Sequence, residues 1–142
     1  ELADGGETLY HVQIYTKKGT YDGHTDINTN TTLSAWEILC DANNVVGRGQ
    51  YIPSPLPSNA MQRVYVGAES IQAFYVTLVD APTVTGGLLY TNGNGNQGLV
   101  YVGNDVLQFV PGVGLITDLE GGGNSMSVVN DRIWNGVIYF ML

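Results

Sequence analysis

Apolar residues along this chain come in short runs rather than at helical spacing. In LYHVQIYT (residues 9–16), Tyr10, Val12, Ile14 and Thr16 share one face, and Leu9, His11, Gln13 and Tyr15 share the other. That period-two alternation is the mark of a half-buried strand. AWEILC (35–40), MQRVYV (61–66), IQAFYVTLV (71–79), LLYT (88–91), GLVYV (98–102), VLQFV (106–110) and RIWNGVIYFML (132–142) read as further strands. All are rich in the β-branched and aromatic residues that fit a pleated surface. Between them, KKGTYDGHTDINTNTT, DANNVVGRGQYIPSPLPSN, NGNGNQG and PGVGLITDLEGGGNSMS carry the Gly, Asn and Pro clusters of turns and loops. Pro53, Pro55 and Pro57 lack the N–H that a central ladder requires. About eight short strands without crossover helices predict an all-β fold. The arrangement expected is an antiparallel β-sandwich, jelly-roll-like, with long Gly/Asn-rich loops.

Composition sharpens this picture. A chain of 142 residues is one domain of ordinary size, expected to span 1–142 as a single sandwich. Only 13% of residues are charged, about half the globular average, while Gly numbers 19 and Tyr 9. Neutral polar side chains must therefore supply solubility. A net charge of −8 with 5 Lys plus Arg argues against nucleic acid, which is held by cations that displace counterions from phosphates. No apolar run reaches the length of a membrane helix. The single cysteine, Cys40, excludes an internal disulfide and reads as a small buried apolar side chain. The chain opens on Glu1 rather than Met, which suggests processing. Asn30-Thr31-Thr32 is a sequon in a loop setting that suits glycosylation at Asn30.

Candidate chemistry is sparse. His11 and His24 have no partner at metal-ligand spacing, no serine sits in GxSxG, and nothing selects two carboxylates as an acid/base pair. The expectation is a non-enzymatic protein without a cofactor. Calcium is the exception considered, because Asp22 and Asp26 in DGHTD bring two carboxylates into one loop. At Asn130-Asp131, Trp134 and Asn135 stand where a βγ-crystallin-type calcium loop carries hydroxyl residues, so a ligating side chain is missing. Trp36 and Trp134, with Tyr90, Asn92 and Asn94, are candidates for a carbohydrate platform, since indole and phenol rings stack on the apolar faces of pyranoses.

Several segments taken in order resemble a family of uncharacterised secreted domains of diatoms and related algae. The pieces are VQIYTKKGTYDG with AWEIL, IQAFYVTLVDAP, LLYTNG, GLVYVGNDVLQFVPGVG and DRIWNGVIYF, which together span nearly the whole chain. Arg132, Trp134, Asn135, Gly136 and Tyr139/Phe140 fall on the family's closing R-x-W-N-G motif, and Tyr90 to Gly93 on its YTNG turn. The chain departs from the pattern at Leu89, where arginine is usual, and in LEGGGNSMSVVND.

The resemblance implies an extracellular or cell-surface domain without catalytic activity. It also implies a further strand ahead of the segment at which this chain starts. On that reading Leu9, Tyr10, Val12 and Ile14 lie on an open assembly edge, filled by a strand from another chain. The function expected is an extracellular structural or assembly subunit of a filament, cell-surface or matrix layer, as a homo-oligomer or with other protein chains. A carbohydrate-binding, lectin-like module, possible with calcium assistance, is the alternative.

Overall fold

The computed structural model describes residues 5–21, 35–79, 87–93, 95, 99–117 and 126–141. The fold is all-β: the described residues form eight strands, every pairing is antiparallel, and no helix occurs among them. The strands are β1 (Gly5–Lys18), β2 (Glu37–Arg48), β3 (Gln72–Val79), β4 (Tyr90–Asn92), β5 (Val102–Gly103), β6 (Gln108–Phe109), β7 (Gly112–Thr117) and β8 (Met126–Trp134). They fall into two compact units, residues 1–88 and 89–142.

The first unit is built on a three-stranded sheet in the order β2-β1-β3. The alternation of LYHVQIYT decides which face is buried. Tyr10, Val12 and Ile14 from β1 join Leu39, Cys40, Ala42 and Val45 from β2 as the core. Leu56, Ala60, Val64, Val76, Leu78 and Leu88 pack against it. Thr16 continues the buried face with a polar side chain, and its hydroxyl is satisfied: it donates to the Ala73 carbonyl at 3.0 Å and accepts from Gln72 Nε2 at 2.7 Å.

β2 extends well past AWEILC because a bulge restores its alternation. Val12 pairs with Ala42 and Tyr10 with Val45, so Asn43 and Asn44 together oppose His11 alone. Asn44 takes φ 60°, a left-handed conformation that Asn tolerates better than most residues. The extra residue keeps Ala42 and Val45 both facing the core, and DANNVV is strand rather than the start of a loop.

MQRVYV forms no strand of its own. Met61 makes an isolated bridge with Cys40, and the Gln62 N–H donates to the Leu39 carbonyl at 2.9 Å, so this segment caps the outer side of β2.

In the second unit β8 pairs with β4 on one side and β7 on the other, and β5 and β6 form a short hairpin. The Asn104 side chain closes that hairpin, its Oδ1 accepting from the N–H groups of Val106 and Leu107 at 2.9 Å each. Two sequence boundaries move here. GVGLIT, expected as loop, is β7, and the closing strand begins at Met126 and ends at Trp134 instead of running from Arg132 to the end. Glycine hid β7 from a pattern search. At Gly114 an added Cβ would come within 3.3 Å of Arg132 Cγ, so the absent side chain leaves room for arginine on the neighbouring strand.

Candidate functional site

The face of the β2-β1-β3 sheet opposite the core carries a group of polar and aromatic side chains. Direct register places Tyr15 beside Tyr75, Gln13 beside both Thr77 and Asp41, and Lys17 beside Ala73. The Tyr15 and Tyr75 rings lie 6.0 Å apart and tilted by 30°, and Trp36 meets Tyr75 edge-on at 6.1 Å and 60°. All three rings are half-buried. Along the same face the Tyr15 hydroxyl donates to Gln13 Oε1 at 2.8 Å, and His11 Nε2 lies 2.5 Å from Asp41 Oδ1.

Two charged groups are already engaged. The Asp41 carboxyl is held below the usual carboxylate range, first by the hydrogen bond with His11 and also by one with Gln13, against an opposing desolvation cost. The Lys17 ammonium donates to the Thr20 carbonyl at 2.5 Å and lies 5.7 Å from the centre of the Trp36 ring, in cation–π range. Burial pushes the Tyr75 hydroxyl up, so it stays protonated across the neutral range.

In the second unit, Tyr90 and Trp134 face each other across β4 and β8 and are both exposed, at 45% and 47%. The Arg132 guanidinium sits 5.0 Å from the centre of the Tyr90 ring, and the Thr91 hydroxyl donates to Asn135 Oδ1 at 3.0 Å. The indole of Trp134 folds over Gly136, where an added Cβ would collide with the ring. Trp134 also borders an apolar cavity of about 170 Å³ whose walls include Leu107, Phe109, Ile133 and Phe140. Asn92 pairs with Arg132 on the neighbouring strand. Asp131 accepts the Gly93 N–H on its backbone carbonyl at 2.8 Å, tying the YTNG turn to β8, and accepts the Gly95 N–H on its carboxylate.

Trp36 therefore belongs to the aromatic group of the first unit, and Trp134 with Tyr90 and Asn92 to the second. Sequence reading missed Tyr15, Tyr75, Gln13 and Asp41 beside Trp36. The alternation in β1 held part of the signal, since Gln13 and Tyr15 stand on its non-core face, but the partners arrive only through strand pairing. Asn94, the calcium candidates Asp22 and Asp26, and the sequon Asn30 lie outside the described residues.

The expected assembly edge requires correction. Leu9, Tyr10, Val12 and Ile14 sit in the central strand: Leu9 and Tyr10 pair with β2, and Val12 and Ile14 pair with both β2 and β3. Among the described residues the strand with an unpaired outer side in this sheet is β3. Its sequence, QAFYVTLV, holds no charged residue and no proline.

Cys40 is buried in the core, and burial pushes its thiol up, with the Asp41 carboxylate adding to the shift. Among the described residues, no three His, Cys, Asp or Glu side chains gather into a metal-holding group, and no helix is long and apolar enough to cross a membrane. Compared with family models, with curated proteins and with solved structures, the chain matches none.

Proposed function

We propose that the protein is an extracellular structural subunit, a β-sandwich that assembles with further copies of itself by strand pairing, as in a filament, cell-surface or matrix layer. The observation that carries this reading is the outer side of β3, an uncharged eight-residue strand with no further strand paired to it among the described residues. An unprotected edge is ordinarily blunted by Lys, Pro or a covering segment. β2, at the other side of the same sheet, has such a cover in Met61 and Gln62. β3 has neither charge nor proline, so in a chain of net charge −8 it is a segment on which two copies meet without like-charge repulsion. Ile71 and Phe74 stay exposed, at 62% and 45%, and supply apolar surface for the incoming strand. The low overall charge and the Gly/Asn-rich loops suit a secreted protein, as does the resemblance to secreted algal domains.

Sedimentation velocity over a hundredfold range of protein concentration tests the proposal. The wild-type chain is expected to shift to larger species as concentration rises, and Phe74→Lys, which puts a charge on the open strand, is expected to remain monomeric. A wild-type chain that stays monomeric throughout would exclude assembly by this edge.

A further inference from the structure

We infer that the non-core face of the β2-β1-β3 sheet is a binding site for a neutral saccharide, with Trp36, Tyr75 and Tyr15 as its aromatic surface and Gln13, Thr77 and Asp41 as its polar row. Tyr75 stands between the other two rings, 6.0 Å from Tyr15 at a tilt of 30° and 6.1 Å from Trp36, which is turned 60° to it. This arrangement makes a floor and a wall. The C–H face of a pyranose packs on such rings without losing the hydration of its equatorial hydroxyls. Partial burial holds the rings in place, so little ordering cost falls on binding.

Hydrogen-bonding groups run away from the rings along the same strands. The Gln13 amide accepts the Tyr15 hydroxyl at 2.8 Å and bonds Asp41, which leaves a second lone pair and a second N–H for a ligand. Its neighbours in register are Thr77 on one side and Asp41 on the other. The Asp41 side chain is 50% exposed, so although it bonds His11 it still has oxygen surface for sugar hydroxyls.

Charge selects the ligand class. The only carboxylate in this row is paired with His11, and the Lys17 ammonium is committed to the Thr20 carbonyl and the Trp36 ring. A face whose carboxylate and ammonium are both already engaged by neighbouring groups, with no cluster of like charges among the described residues, favours an uncharged polyol over a uronate, a sulfated glycan or a basic peptide. Sheet packing accounts for the cross-strand tyrosine pair. The hydrogen bonds Tyr15–Gln13, Gln13–Asp41 and Asp41–His11 align the amide and carboxylate row and hold its remaining donors and acceptors in place beside the rings.

The test is a fluorescence titration of the full chain carrying Trp134→Phe, so that Trp36 alone reports. The probes are neutral hexasaccharides of glucose, mannose, galactose and xylose, with a hexauronate as the charged comparison. Saturable change with at least one neutral probe is expected, insensitive to salt between 50 mM and 500 mM. Gln13→Ala is expected to weaken it about tenfold, as loss of one to two hydrogen bonds implies. Tyr75→Leu is expected to abolish it, and unfolding melts of each variant separate lost binding from lost fold. No saturation with any neutral probe, saturation with the hexauronate alone, or unchanged affinity in a folded Gln13→Ala variant would overturn the inference.

Discussion

Single residues in this protein are set by what their neighbours leave room for. Gly136 is the clearest case, because the Trp134 ring occupies the space in which any side chain would stand. Gly136→Ala is expected to swing the indole outward and red-shift Trp134 emission, read in a Trp36→Phe background. Emission identical to the parent would mean that the ring does not rest on the glycine. Gly93 is a second such position, since a Cβ there would collide with the Asp131 carboxylate that also accepts the Gly95 N–H.

Cys40 illustrates the opposite case, a reactive group made inert by its surroundings. Burial and the neighbouring Asp41 charge keep its thiol protonated at neutral pH. A thiol-specific disulfide reagent is therefore expected to label the native chain far more slowly than the urea-unfolded chain. Equal rates would place Cys40 outside the core.

At the scale of elements, the most legible feature is β1, whose alternation sets Tyr10, Val12 and Ile14 on one face, and that face is the one the fold buries. What alternation could not supply was the position of β1 within its sheet. A central strand and an edge strand show the same period, and only the register with β2 and β3 distinguishes them. Because Ile14 is packed in the middle of the central strand, Ile14→Ala is expected to cost about 2–5 kcal/mol, measured by urea unfolding. A cost below about 1 kcal/mol would contradict its core assignment.

Other elements were hidden for identifiable reasons. Two successive asparagines broke the pattern of β2 while a bulge preserved its buried face, and the glycines of β7 left no side-chain period to read. MQRVYV carried strand-like residues, but its backbone serves as a cap on β2 through Met61 and Gln62. The aromatic site was legible only as Trp36, since Tyr15 and Tyr75 are sixty positions apart in sequence and neighbours only through pairing.

The same sheet carries a pH dependence. Asp41 has a folded pKa below its unfolded one, so its contribution is complete above about pH 4, where the unfolded carboxyl is also ionised. As pH falls through that range the unfolded chain takes up the proton first, and the contribution is lost through the lower, folded pKa. Melting temperature followed from pH 6 to pH 2 should therefore fall less steeply in Asp41→Asn than in wild type. Parallel curves would remove Asp41 from the account.

At the scale of the whole molecule, an antiparallel all-β chain with so few charges leaves the management of its sheet edges to geometry. In the first unit one outer strand is capped and the other is an uncharged segment. The proposed assembly rests on that asymmetry, and it locates the joint in Gln72–Val79 rather than at residues 9–14. Amide hydrogen exchange, measured strand by strand at low and high protein concentration, addresses this most directly. Exchange within Gln72–Val79 is predicted to slow markedly at high concentration while exchange in β2 stays constant. Protection of β3 that does not change with concentration would contradict assembly through this strand.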